Sequence, residues 1–320
     1  MEYGPIHPAR LPTMKRIDHN RGSATILCLL ISAVIITIGI GFNWLVKEHI
    51  RAAEALKNKT EAMLEANSTY ETLMYSVLSG TTTQKGVLLY KGADLLGVTS
   101  IPLNSTKVPV KETITMKMQD SSGLVSLVSF NKDVFGRLIK RWTTTDQKAA
   151  LIIDSLLDWI DPDKLSRING AEEQFYRAEG KSYTSRNYPL QYKEEISLVR
   201  GMDYALFTTL APYVTMLPST GFNPNTAPDE ILMAYLDIGT ETLQNLRGYM
   251  ANRAISSNAE IFSLTGKRLA PNEGINFFPS RFWEVTIEAG TPRPLYIIHA
   301  GIDINNDVNS PYNVIYWKEE

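Results

Sequence analysis

A single cysteine in 320 residues, Cys28, leaves no disulfide within the chain, whichever compartment it occupies. Histidine is scarce too: His7, His19, His49 and His299 stand far apart, and no H-x-x-x-H pair offers a zinc-type ligand set. Charge of one sign is also missing. Lys plus Arg number 32 against 34 Asp plus Glu, a net charge of −2, so no bulk basic character recruits nucleic acid or acidic lipid. G-x-S-x-G, H-E-x-x-H, the phosphate loop and C-x-x-C are absent, which lowers the prior for the enzyme classes that use them. The length admits one large or two modest domains, each able to bury a core.

What the chain does have is a long apolar run. From Ser23 to Val46 no charged side chain occurs, and Leu, Ile, Val, Ala and Gly dominate. At ~1.5 Å rise per residue this run reaches about 36 Å, enough to cross a ~30 Å hydrocarbon core with some tilt. Lys15, Arg16 and Arg21 precede it, so the positive-inside rule puts the first residues in the cytoplasm and everything after Lys47 outside it. A secretory signal would have a shorter apolar core and then a small-residue cleavage site. Here the run flows into Lys47–Leu78, which contains neither Pro nor Gly and is rich in Ala, Leu, Glu and Lys. One helix is predicted over 23–78. Its first part (23–46) lies in lipid, and an interrupted apolar face packs the rest on a soluble domain.

Arg21-Gly22 followed by Ser23-Ala24-Thr25-Ile26-Leu27 resembles the junction of a type IV prepilin. The resemblance implies a leader at 1–22, cut after Gly22 by a membrane peptidase, with Ser23 as the methylated mature amino terminus. Met14 offers a second start, with a shorter leader closer to the family norm. Major pilins carry a glutamate at mature position five, whose usual role is to pair with a neighbour's amino terminus. Here that position is Leu27. An unpaired carboxylate in lipid is costly, and its omission suits a filament tip, where no preceding subunit awaits pairing. Among minor pseudopilins that omission is typical of the K component of type II secretion.

Residues 79–110 are rich in Gly, Ser and Thr and read as loop, with a short strand at Val87–Tyr90. Ile114, Met116 and Met118 alternate with Thr113, Thr115 and Lys117, the pattern of a half-buried strand. Asp120–Gly123 reads as a turn and Leu124–Ser129 as another short strand. From Phe130 the apolar period becomes helical, with helices expected at Asp146–Ile160, Ile196–Val199, Tyr204–Tyr213, Asp229–Tyr235 and Thr240–Arg253. Strands return at Arg281–Ala289, Leu295–Ile304 and Asn313–Trp317. The expected fold class is α+β. A long N-terminal transmembrane helix leads into a pilin-like helix-plus-antiparallel-sheet core (79–129 and 270–320), with an all-α domain inserted at 130–269.

That arrangement is the K pseudopilin's, and several blocks carry the likeness. Leu151–Asp163 (LIIDSLLDWIDPD), then Asn169-Gly170-Ala171-Glu172-Glu173 and Tyr176, resembles the family's L-x-D-W-x-D-x-D … N-G-A-E-x-x-Y. Arg186–Leu190 with Glu195–Met202, Leu210–Thr215 and Phe222–Ala227 resemble three further blocks in the same order. One departure is the turn near Asp120: the family often reads D-x-x-G-x-x-N, and Ser126 holds the last place.

Asp158, Asp161, Asp163, Glu172 and Glu173 crowd around a helix end and the loop after it. Hard cations take six to eight oxygens, and clustered carboxylates repel without one. The resemblance implies Ca²⁺ in the inserted domain, which makes these five the candidate ligands. A solvated helix end with a turn at Asp161-Pro162-Asp163 explains the same residues, and both readings stay open. Asp303-Ile304-Asn305 through Asn309 imitates the start of an EF-hand loop but has Val308 and Val314 where glycine and glutamate are needed. A polar hairpin accounts for it at least as well. Leu198–Met202 and Asp237–Glu241 resemble helix-hairpin-helix turns, but Asp203, Asp237 and Glu241 would repel phosphate, which favours a structural use over nucleic-acid binding.

The resemblance thus implies a minor pseudopilin, not an enzyme, at the tip of a periplasmic filament that helps export folded proteins. Its partners would be I- and J-type minor pseudopilins, the major pseudopilin, the prepilin peptidase and the membrane. Its place would be the inner membrane, single-pass, with the C-terminal domain in the periplasm. Two other readings stand beside it: an anchored helix-hairpin-helix receptor for DNA uptake, and an uncleaved bitopic envelope protein.

Overall fold

The computed structural model describes residues 23–268, 274–305 and 307–320. The leader expected at 1–22, Gly22 included, lies outside them. The chain opens with helix α1 (Ser23–Leu78), followed by β1 (Thr81–Thr82), β2 (Gly86–Leu88), a single turn α2 (Ala93–Leu96) and β3 (Ser100–Pro102). Strands β4 (Val108–Lys111), β5 (Ile114–Asp120) and β6 (Val125–Ser126) come next. Helices α3 (Lys132–Lys140), α4 (Asp146–Ile160), α5 (Glu173–Ala178) and α6 (Tyr204–Leu210) precede β7 (Val214–Thr215). Helices α7 (Asp229–Leu236), α8 (Thr240–Asn252) and α9 (Asn258–Thr265) lead back to strands β8 (Phe282–Ala289), β9 (Tyr296–Ile304) and β10 (Tyr312–Glu319).

Among the described residues, those up to Lys57 and those from Asn58 onward form separate compact units. In the first, the apolar side chains of α1 are uncovered: Leu29 is 71% exposed and Leu27 58%. Among the described residues α1 is the one helix long and apolar enough, by length and composition, to cross a membrane. In the second unit the same helix buries Ala62, Ala66, Tyr70, Leu73, Met74 and Val77. Their spacing of three and four residues lays them on one stripe.

That stripe packs on a five-stranded sheet of order β10-β9-β8-β5-β4, antiparallel throughout. Register places Met116 opposite Ile287, which stands opposite Ile298, and Met118 opposite Val285, which stands opposite Ala300. Because side chains alternate across a strand, one face of three strands is apolar and buried. Each such side chain contributes roughly 1.5–3 kcal/mol of burial. The segment read as loop also supplies β4, an edge strand on β5, and the small sheet β1-β2-β3. The strand expected at Val87–Tyr90 occurs one residue earlier and shorter, at Gly86–Leu88.

Between β6 and β8 the regular elements of the described chain are helical apart from β7, with loops between them, and the buried apolar residues form a second cluster. Asp146–Ile160 is helical as predicted, with Thr145 accepting from the Lys148 N–H at its start. Of Ile196–Val199, the first three residues instead belong to a 3-10 turn, Lys193–Leu198, and Val199 is extended. The helix expected at Tyr204–Tyr213 breaks at Leu210, because Pro212 removes a backbone donor and a 3-10 turn follows. The expected strand Leu124–Ser129 shortens to Val125–Ser126, which pairs in parallel with β7.

The two apolar clusters meet through a buried carboxylate. Asp120, at the end of β5, has no exposed surface. It accepts from the Ser280 N–H (2.9 Å) and hydroxyl (2.7 Å), from Asn223 Nδ2 (3.0 Å), from Thr226 Oγ1 (2.9 Å) and from the Ser122 N–H (3.2 Å). Ser280 leads into β8, while Asn223 and Thr226 belong to the loop before α7. Gly123 completes the turn, since a Cβ there would lie 2.6 Å from the Thr226 carbonyl oxygen. The D-x-x-G segment is thus the polar joint of the molecule.

Candidate metal centre

Helix α4 ends because Pro162 pushes Asp161 into an extended conformation (φ −81°, ψ 157°). The loop that follows folds back on the helix. Asp158, on the last turn, is fully buried and receives the Arg167 N–H (3.1 Å) and the Arg167 guanidinium (2.6 Å). The same guanidinium nitrogen also bonds Asp161. Gly170 closes the fold-back: a Cβ there would lie 1.9 Å from the Asp158 carboxylate, so no larger residue fits. Arg200 holds the Gly170 carbonyl at 3.0 Å, and the Tyr176 hydroxyl accepts from the Arg200 N–H at 3.2 Å. Burial pushes that hydroxyl's pKa up to about 12. The Tyr176 ring meets Trp159 edge-on, with centroids 5.4 Å apart.

Around this frame Asp161, Asp163 and Glu172 each offer a carboxylate oxygen, all within 4.8 Å of one another. Glu172 is 5% exposed; one of its oxygens accepts from the Ser185 hydroxyl (2.7 Å) and the other, buried, has no hydrogen-bond partner. One Asp161 oxygen is buried without a partner as well. Burial raises the Glu172 carboxyl above the usual carboxylate range, the Ser185 bond opposes the rise, and the charges of Asp158 and Asp161 add to it. Buried carboxylate oxygens without donors are the feature a hard cation satisfies, so the donor set fits one.

The five positions singled out in the sequence therefore divide. Asp161, Asp163 and Glu172 converge. Asp158 lies beside them with its oxygens committed to the Arg167 loop. Glu173 turns away, pairing with Arg177 one helical turn on and with Lys164 at 3.8 Å. Arg167 and Ser185 were missed; neither type carries a metal signal, and only the fold brings them in. At the EF-hand-like segment a guanidinium supplies the positive charge: Arg281 bonds both Asp303 (2.7 Å) and Asn305. At the first helix-hairpin-helix-like turn, Asp203 accepts from the Leu206 N–H (2.8 Å), filling the α6 amino terminus that a phosphate would need.

The family model for type II secretion system (T2SS), protein K, matches residues 117–219, a stretch that holds both Asp120 and the carboxylate site. Type II secretion system protein K of Klebsiella pneumoniae is 35% identical over 131 residues, covering 40% of each chain. That of Pectobacterium carotovorum subsp. carotovorum is 24% identical over 277 residues, 80% of this chain and 82% of that one. Over these stretches the chain is similar to type II secretion system protein K. It spans about two fifths of the first curated relatives it matches, 40% and 41% of their lengths. A chain in the crystal structure of the GspK-GspI-GspJ complex from enterotoxigenic Escherichia coli shares the fold. Its TM-score is 0.51 at 18% identity, over 86% of this chain and 99% of that one.

Proposed function

We propose that this protein is a minor pseudopilin, anchored in the inner membrane by α1, with its compact unit in the periplasm at the tip of the type II secretion filament. The observation that carries the reading is α1 itself. Its first part leaves every apolar side chain uncovered, while its last turns are one face of a folded core. A helix of that kind serves as an anchor and as a lateral contact for similar helices. Leu27 in place of the pilin glutamate suits a subunit with none above it. By the same reading the peptidase cuts at Gly22–Ser23, the chain is not an enzyme, and the partners are I- and J-type pseudopilins, as in the complex that gave the similar structure.

Calcium belongs to this proposal. Asp161, Asp163 and Glu172 would hold it, and the ion would supply the positive charge that ties the end of α4 to the start of α5. The deciding experiment is mass spectrometry of protein extracted from its native membrane, together with whatever copurifies. A methylated Ser23 terminus and I- and J-type companions are expected. An intact terminus at Met1 or Met14, with no pilin-like companions, overturns the reading.

A further inference from the structure

We propose that Arg167 is a built-in counter-cation that competes with a divalent ion for Asp161, and so sets the affinity of the carboxylate site. The inference rests on the calcium reading above and goes beyond it. Asp158 and Asp161 are not equivalent partners of this guanidinium. Even if the side chain leaves, the Arg167 N–H still reaches both Asp158 oxygens (3.1 and 3.3 Å) and the Ser166 hydroxyl one of them (3.4 Å). Asp161 has one oxygen on the Arg167 guanidinium and one buried oxygen with no donor. It is therefore the carboxylate that both cations draw on.

A divalent ion on Asp161 sits at oxygen distances of ~2.3–2.6 Å, which puts it beside the guanidinium. Charges of like sign that close repel strongly wherever the dielectric is below that of water. Arg167 is 36% exposed at its side chain, so it has an outward path. Asp158, fully buried, does not. Ion binding thus releases Arg167 from Asp161 while the backbone bond to Asp158 keeps the loop in place. Arg167 has then exchanged a buried role for a surface one.

The test uses the full-length protein in detergent, stripped with chelator and titrated with Ca²⁺ by calorimetry. Arg167→Gln is expected to bind Ca²⁺ about tenfold more tightly, and Arg167→Lys, which keeps the charge, to bind as wild type does. A second measurement needs no variant: Ca²⁺ should increase the labelling of Arg167 by phenylglyoxal in wild-type protein, mapped by mass spectrometry. If wild type binds Ca²⁺ but Arg167→Gln binds equally or more weakly, Arg167 only braces the loop and the inference falls alone. Should Arg167→Gln fail to fold, unchanged or reduced labelling on adding Ca²⁺ overturns it. If wild type binds no Ca²⁺, the calcium reading falls and this inference falls with it.

Discussion

The sheet and the helical segment between β6 and β8 are stabilised differently. The sheet rests on long ladders: eight consecutive pairs join β8 to β9, and seven join β5 to β8, over one continuous apolar face. The helical segment is built of short helices, from six residues in α5 to fifteen in α4. Helices that short leave a large share of their backbone groups at termini. Cations meet backbone carbonyls there, two near helix ends and two in the loops between helices. Arg137 bonds the Ala234 carbonyl on α7, Lys85 that of Met250 on α8, Arg200 that of Gly170 and Arg247 that of Ala227. Repetition makes the sheet tolerant of local loss. The helical segment depends on single polar contacts, each placed once.

The severest way to break that contrast is at the joint. Asp120→Ala strips the acceptor from five hydrogen bonds at once and leaves buried donors from Ser280, Asn223 and Thr226. A loss of about 4 kcal/mol is expected, read by denaturant unfolding. Burial raises the Asp120 carboxyl above its ordinary range, and the bonds from Ser280, Asn223 and Thr226 work against that rise. Asp120→Asn keeps the shape but brings an amide NH₂ against groups that already donate, so it is expected to recover little. Full recovery by Asn would mean that packing, not the acceptor, joins the two clusters.

A paired comparison sharpens the point at smaller scale. Arg137→Ala removes a charge-assisted bond to the end of α7 and is expected to cost about 1.5 kcal/mol. Lys107→Ala breaks an ion pair to Glu288 of 2.7 Å on the open face of the sheet, its lysine 60% exposed, and is expected to cost under about 0.5 kcal/mol. Equal losses would erase the distinction between the regions.

Much of the sheet was legible because its signal is local. The alternation of Ile114, Met116 and Met118 specifies the buried face without knowledge of any partner strand. Helix α4 was legible for the same reason, through its apolar period and the Pro162 stop. Asp120 was not: its donors Asn223, Thr226 and Ser280 lie 103, 106 and 160 residues away. At the carboxylate site the acidic residues were visible, but not which of them converge. Glu172 is the extended residue before α5 and Glu173 its first helical residue. That change of backbone conformation sends two adjacent glutamates to different partners. The charge balance depended on Arg167, an ordinary loop arginine until the chain folds back on Asp158.

The smallest expected effect concerns pH and tests the sheet. His299 on β9 lies opposite Thr286 on β8 and Lys318 on β10, with its Nδ1 3.2 Å from the Thr286 hydroxyl. Burial lowers its pKa below the ordinary 6.5; Lys117 and Lys318 push the same way, while Glu320 and Glu284 oppose. The folded protein therefore takes up this proton less readily than the unfolded chain, so stability rises with pH across the interval between the two values. Acidification below about 6.5 is expected to lower the unfolding midpoint through this one group. His299→Gln should flatten that part of the stability–pH curve without altering stability at pH 8 by more than about 0.5 kcal/mol. Because β9 is paired on both sides, the imidazolium would form inside an intact ladder, and the loss should appear in unfolding midpoints with no change in the sheet's circular dichroism before the transition. A pre-transition change would place the sheet, too, among the regions that hang on a single group.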